Sequence, residues 1–288
     1  MGLRSPAGRP RLRYDAAYVA HGCGRPRVTA DLLVAVPLGF VLGFLIGLTG
    51  VGGGALVAPA LYVILGVAYG QAVTLSLVYS LFTKVVGAVQ HIRQGSVLWR
   101  ITWLYGLAGI PGAVAGSQLV YWVGEETRRL LPYMMGGVLL LISALLLLET
   151  AMRPVATRER PFSPAGIGWV GGLAIVGFQL GVGILLGLTS VGAGSFVVLS
   201  MFLLFRMSAR EIVGSNIVIA LIMVIPAGLT HYLGGGVDWR LLAALMLGSL
   251  GGVVLGSRAV LAVPERPLKL AIVVLIAAGA VATVTRSR

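Results

Sequence analysis

The sequence predicts an all-α polytopic membrane protein made of two inverted-topology repeats, each of about five helical segments. Three observations predict it: a composition too apolar for a soluble protein, a series of apolar runs, and a glycine-rich motif that occurs twice. Hydrophobic residues make up 58% of the 288 residues and charged residues 11%, whereas soluble domains carry about 25% charged residues. The chain is therefore best divided by membrane helices of about 20 residues each.

The basic charge has a membrane explanation. The net charge is +13, and arginines crowd the first 29 residues and the short loops. Basic residues beside apolar runs set orientation and contact anionic lipid, so membrane lipid is an expected partner and nucleic acid is not. Residues 1–29 are expected to form a disordered basic arm, since no apolar core of a signal peptide is present. The one cysteine, Cys23, excludes an intrachain disulfide.

Ten apolar runs give the helical segments in order: 30–48, 54–67, 72–93, 101–122, 131–149, 168–188, 194–206, 212–233, 241–262 and 268–284. We divide them into a first membrane repeat at 30–149, a polar linker at 150–167, a second membrane repeat at 168–284 and a basic tail at 285–288. The second and seventh runs reach only about 20 Å, against a hydrocarbon core of about 30 Å. Short broken or re-entrant helices are therefore expected at these two places.

The two halves repeat at a constant offset. The motif GLTGVGGG beginning at Gly47 returns as GLTSVGAG at Gly187, an offset of 140 residues. The same offset pairs His91 with His231, and it also pairs Trp-Arg dipeptides and glutamates further along the chain. Small apolar residues match by chance in membrane proteins, but a constant offset through these residue types indicates an internal duplication.

Counting the segments predicts the relative orientation of the repeats. Each motif lies between two runs that together leave the membrane on the side they entered. Three further crossings complete each half, so the second half begins on the opposite side. The repeats are therefore expected to be inverted, which is the architecture of many secondary transporters.

The repeated motifs are the candidate substrate site. Irregular backbone is tolerated in a membrane where protein or a cavity covers it, and amides at the start of a short helix attract anions. Glycine also permits close helix packing, which is the expected role of spaced glycines such as Gly39-xxx-Gly43. The motif residues predicted to bind substrate are Thr49, Gly50, Val51, Gly52, Gly53, Gly54, Thr189, Ser190, Val191, Gly192, Ala193 and Gly194.

A duplicated chain of ten runs with GLTGVGGGALVAPAL at its first motif resembles the sulfite exporter TauE/SafE family, also called the toluenesulfonate uptake permease family. The resemblance covers residues 30 to 284 and implies a carrier, in the bacterial cytoplasmic (inner) membrane, for sulfite, sulfonates or similar small organic anions. It also implies coupling to an ion gradient, with the proton as the candidate ion. The second motif departs from the first, with Ser190 in place of the Gly50 equivalent, so the two half-sites are chemically unequal.

Polar residues inside the third run extend the candidate site. Lys84 lies mid-run, where a charge usually faces a cavity and where its head group is too deep to reach an interface. Ser76 and Ser80 precede Lys84 by two turns and one turn on the same helical face. Asn216 matches Ser76 across the repeat. Each of these three is either a substrate contact or an inter-helix hydrogen bond.

Proton coupling has three candidates, namely Lys84, His91 and His231. Histidine changes charge near neutral pH, although both histidines lie near run ends, where a structural role is the alternative. No metal site or cofactor is predicted, because the carboxylates sit at run ends.

The predicted function is secondary transport by alternating access, without enzyme activity. An anion channel is the first alternative and a membrane-embedded enzyme the second. The orientation of the termini and the direction of transport stay open, because the charges of the arm and of the loops favour opposite orientations.

Overall fold

The computed structural model describes residues 28–49, 54–124, 127, 129–151, 169–205, 207–259 and 265–287. This part of the chain is folded into ten helices: α1 Val28–Thr49, α2 Gly54–Val63, α3 Tyr69–Arg93, α4 Trp99–Trp122, α5 Leu131–Ala151, α6 Trp169–Thr189, α7 Ala193–Leu204, α8 Ala209–Gly235, α9 Trp239–Ala259 and α10 Glu265–Arg286. Helices α1 to α5 belong to the first half and α6 to α10 to the second, so that α1 corresponds to α6, α2 to α7, and so on.

Among the described residues, five stretches are long and apolar enough to cross a membrane: Tyr69–Arg93, Leu131–Leu148, Trp169–Thr189, Arg210–Gly234 and Trp239–Gly256. Together with the all-helical described chain, they confirm the predicted α-helical polytopic membrane fold. The two expected short helices are also confirmed, since α2 has 10 residues and α7 has 12. The predicted basic arm and most of the linker, at 1–27 and 152–168, lie outside the described residues.

Two helix pairs, α1 with α9 and α4 with α6, pack so closely that their backbones are in contact. A Cβ atom added at Gly43 would meet the Ser249 carbonyl, and one added at Gly183 would meet the Gly109 carbonyl. Only glycine fits such an approach, because any side chain would push the helices apart. The two contacts are equivalent, since the offset of 140 converts Gly43 to Gly183 and Gly109 to Ser249. We call α1–α9 and α4–α6 the glycine-lined pairs.

Corresponding helices of the two halves run in opposite directions where they meet. In α3 and α8, Leu77 lies beside Gly228 and Gly87 lies beside Ile217. Residue numbers therefore rise along α3 as they fall along α8. The α5–α10 pair shows the same order in two contacts: Gly136 with Val284, and Tyr133 with Ser287.

The two halves differ most in one helix–helix contact. Helix α8 lies along α4, where Ile222 packs on Gly106. The corresponding helices α3 and α9 make few contacts, one of which is a hydrogen bond between the hydroxyls of Tyr79 and Ser249. We call the space between the second half of α3, residues 81–93, and α9 the α3–α9 gap.

Candidate anion-binding site

The second glycine motif breaks the helical path between α6 and α7. Ser190 has φ 62° and Gly192 has φ 111°, both in the left-handed region that favours glycine. Ser190 is therefore a strained position for a residue with a side chain. Thr189, Ser190 and Val191 are all buried, so the broken backbone is covered by protein, as a membrane interior requires.

Side chains from two other helices cap the end of α6. The last carbonyls of a helix have no partner within it, and here the Tyr69 hydroxyl donates to the Leu188 carbonyl at 2.8 Å. The His231 Nε2 lies 2.8 Å from the Gly187 carbonyl. Because a carbonyl only accepts, His231 carries a hydrogen on Nε2 and donates it. His231 thus fixes the backbone immediately before the motif.

The second nitrogen of His231 joins the two halves. His231 is fully buried, and its Nδ1 lies 3.0 Å from the Tyr121 hydroxyl and 3.3 Å from Thr74 Oγ1. Thr74 donates its own hydrogen to the Gly70 carbonyl at 2.7 Å. The Tyr121 hydroxyl reaches both Nδ1 and the His231 carbonyl, the latter at 3.2 Å, so its one hydrogen is shared between these two acceptors of a neutral imidazole residue. This cluster connects α8 with α3 and α4 of the first half.

The beginning of α7 presents the amides that the sequence predicted for an anion. The Val191 amide donates to Thr189 Oγ1 at 3.1 Å and is therefore already used. The first-turn amides of Ala193, Gly194 and Ser195 have no acceptor within the helix, and Gly194 and Ser195 are only partly buried. Together with the helix dipole they make this helix start electropositive.

The start of the other short helix lies against this motif. A Cβ atom added at Gly54, the first residue of α2, would collide with the Ser190 carbonyl. Ser190 Oγ donates to Ser76 Oγ at 3.0 Å, which brings α3 to the same place. The structure thus brings Gly54, Ser76 and the second motif together. Thr49 ends α1, and the predicted site residues Gly50, Val51, Gly52 and Gly53 lie outside the described residues.

Several buried polar atoms near these helices have no hydrogen-bond partner among the described residues. They are Ser80 Oγ, Asn216 Oδ1 and both amide atoms of Gln179. An unsatisfied buried polar group costs about 1–3 kcal/mol, so such groups usually meet water or a ligand. Ser80 lies one turn beyond Ser76 on α3, and Ser76 is the residue whose hydroxyl accepts from Ser190. No contact is found that joins Asn216 to the motif among the described residues.

Lys84 lies one further turn along α3 and is partly buried. Within the described part of the chain, its ammonium has no hydrogen bond or ion pair. Its counterpart in α8, Val224, is 1% exposed, so corresponding positions have different surroundings. The cation belongs to one half alone.

His91 is not part of this cluster. Its Nδ1 lies 2.9 Å from Ser96 Oγ, at the turn between α3 and α4. At a rise of about 1.5 Å per residue, His91 is about 22 Å from Ser76 along the helix. The two histidines that the repeat pairs therefore have different contacts.

Sequence reasoning missed Tyr69, Thr74 and Tyr121 as contributors to this region. Aromatic residues near the ends of apolar runs usually anchor a helix at the membrane surface, and a lone threonine is common inside membrane helices. Neither signal distinguishes a helix cap from an ordinary position, because the cap depends on which distant carbonyl lies nearby. Among the described residues, no group of three or more metal-ligating side chains is found.

Comparison with known proteins identifies the family of this chain. Residues 35–283 match the family model described as Sulfite exporter TauE/SafE. The chain is 33% identical over 241 residues to the probable membrane transporter protein YjnA of Bacillus subtilis (strain 168), covering 81% of this chain and 91% of the relative. It is 25% identical over 233 residues to the probable membrane transporter protein YdhB of the same organism, covering 81% and 92%.

A second organism carries a similar protein. A probable membrane transporter protein of Xylella fastidiosa (strain 9a5c) is 25% identical over 232 residues, covering 79% of this chain and 84% of the relative. No solved structure matches the chain. The matched family and relatives are membrane transporters and not enzymes, in agreement with the predicted class and membrane location. The chain is a membrane transporter and belongs to the sulfite exporter TauE/SafE family.

Proposed function

We propose that this transporter moves a small sulfur-containing or organic anion, such as sulfite or a sulfonate, by alternating access. The observation that carries the proposal is the meeting of the second motif with the start of α2, seen in the contact of Gly54 with Ser190. Starts of two short helices directed into one covered region make an electropositive site without a metal. Family membership supports transport, and this geometry supports an anion as the cargo.

Lys84 supplies the full charge that the helix starts lack. An anion that leaves water loses its hydration, and helix dipoles offer only partial positive charges. Lys84 follows Ser76 and Ser80 on α3, so hydroxyls and an ammonium form one row leading away from the motif. A polar row of this kind suits an oxyanion, which accepts hydrogen bonds from every one of these groups.

We further propose that residues 30–149 and 168–284 form two inverted-topology repeats. Two observations support this. Contacts between the halves occur in exchanged pairs, Gly43 with Ser249 and Gly183 with Gly109, as a two-fold relation requires. Corresponding helices also run antiparallel in α3–α8 and α5–α10. A two-fold axis lying in the membrane plane accounts for both observations.

Proton coupling is proposed with Lys84, His91 and His231 as its candidates. Of the two histidines, His231 is the one beside the motif, because it holds the Gly187 carbonyl. The support is the family resemblance together with this position.

The test combines binding with flux. Purified protein is screened by thermal shift against sulfite, sulfate, sulfoacetate, taurine and carboxylate analogues, because a ligand of the folded state raises its apparent stability. Any anion that stabilises the protein is then tested in proteoliposomes. Saturable uptake with counterflow is the expected result, whereas unsaturable flux would identify an anion channel, and absence of both binding and flux would refute the proposal.

A further inference from the structure

The two halves have the same helices but bury them to different degrees. In α8, Met223 and His231 are 0% exposed and Val224 is 1% exposed. The corresponding α3 residues, Thr83, Lys84 and His91, are all partly buried. The difference follows from packing, because α8 lies along α4 whereas the α3–α9 gap separates α3 from α9.

The offset of 140 residues relates the contact between α4 and α8 to an equivalent pair of positions in α3 and α9. The packing of Ile222 on Gly106 corresponds to a packing of Phe82 on Met246. In the structure Phe82 is 46% exposed and α3 makes few contacts with α9, from which we infer that this second contact is not formed. The α4–α8 contact is thus closed in this structure, whereas the equivalent α3–α9 gap is open.

We propose, building on the transport function proposed above, that α3 and α8 exchange these arrangements and that Lys84 makes the exchange depend on a bound anion. In the second conformation α3 closes the α3–α9 gap while α8 leaves α4. Phe82 then meets Met246, and Ile222 leaves Gly106. A protein with two equivalent packing arrangements is bistable, as a carrier with alternating access requires.

Lys84 couples the helix movement to the bound anion because the exchange moves its side chain into a fully buried position. It occupies the place that Val224 has now, which is fully buried. The apolar side chain of Val224 is buried there without an electrostatic cost. The ammonium of Lys84 would be buried without a partner, and a buried unpaired charge is strongly unfavourable. An anion bound beside Lys84 neutralises the charge of the ammonium and permits the α3–α9 gap to close. The empty protein therefore resists closing, and the protein acts as an exchanger that moves one anion for another.

Disulfide trapping tests the exchange. In a Cys23→Ser background, one variant carries Phe82→Cys with Met246→Cys and reports closure of the α3–α9 gap. A matched variant carries Gly106→Cys with Ile222→Cys and reports the α4–α8 contact of the present structure. Both are oxidised in proteoliposomes with sulfoacetate, sulfate or isethionate, and with chloride as the control. We expect a transported anion to increase the 82–246 cross-link several-fold and to decrease the 106–222 cross-link.

Lys84→Met, added to each pair, isolates the role of the charge. It retains an apolar side chain that fits the place of Val224, so the 82–246 cross-link is expected to form without any anion. An 82–246 cross-link that forms equally with and without anion in the Lys84 protein would refute the coupling role. Anion flux without any 82–246 cross-link would refute the exchange of arrangements. Absence of flux for all three anions would instead refute the proposed anionic cargo, on which this inference rests.

Discussion

Lys84 is notable for its surroundings, because it is a cation without a partner in the described part of the protein. It is a partly buried cation in the middle of a membrane helix, without a hydrogen bond or ion pair among the described residues. A structural lysine at such depth would be paired or would reach the membrane surface. The position therefore favours a partner that arrives from outside the protein, and we propose that the anion is that partner.

Substitution of Lys84 separates charge from shape. Lys84→Met keeps the length and removes the charge, so we expect severely weakened anion binding with the fold retained. Lys84→Arg keeps the charge with a different geometry and hydration, and intermediate affinity is expected. Titration of each purified variant by thermal shift measures the effect. Affinity of Lys84→Met equal to that of the unchanged protein would assign Lys84 a structural role and leave the amides as the anion site.

His231 gives a prediction about stability. His231→Ala removes the donor that caps the Gly187 carbonyl and leaves that carbonyl unsatisfied in the interior. The expected loss is about 1–3 kcal/mol in the free energy of unfolding, measured as a lower apparent melting temperature. His91→Ala is the matched control, because His91 is partly buried and bonds only within its own turn. Equal effects of the two substitutions would contradict the capping role.

At the scale of elements, the break between α6 and α7 is the feature that creates the site. A continuous helix through Ser190 and Gly192 would use the amides of the next turn for its own hydrogen bonds. The left-handed residues stop the helix and leave a new helix start within the protein. The site thus depends on backbone conformation more than on side-chain chemistry.

Gly192→Val tests this dependence. Gly192 has φ 111° and its added Cβ would lie 3.2 Å from the Phe196 ring, so the substitution strains the break whatever the side chain does. Strain of this kind costs about 1–3 kcal/mol, and we expect transport to be lost while membrane insertion continues. Gly172→Val is the control, since a Cβ at Gly172 has no atom within 4 Å. Normal uptake by Gly192→Val would show that the broken backbone is dispensable.

The elements were predictable where length and spacing determine them. The two short runs predicted short helices, and the structure has them, as α2 and α7. The contacts between elements were not predictable in the same way. Ser76 was a candidate because it lies on the same helical face as Lys84, but its hydrogen bond to Ser190 joins residues 114 positions apart and depends on how their helices cross. Sequence periodicity reports which face a helix buries, and it does not report which distant helix covers that face.

At the scale of the whole molecule, the proposed exchange predicts the kinetics of transport. If the empty protein resists closing, counterflow of a labelled anion should be much faster than its net efflux into anion-free buffer. The measurement uses proteoliposomes loaded with labelled sulfoacetate or sulfate and diluted with or without unlabelled anion outside. Net efflux as fast as counterflow would show that the empty carrier returns freely, and Lys84 would then not restrain it.

The glycine-lined pairs have a consequence for how the chain assembles. Each pair takes one helix from each half, α1 with α9 and α4 with α6, and each holds backbone against backbone, as at Gly43 and Ser249. Each half therefore lacks one helix of every glycine-lined pair. Two fragments divided between 151 and 169 should associate when they are co-expressed and should co-purify. Gly43→Leu should weaken that association, and stable folding of either fragment alone would contradict it. The covalent link between the halves is then dispensable for their association, because the contacts between the helices hold them together.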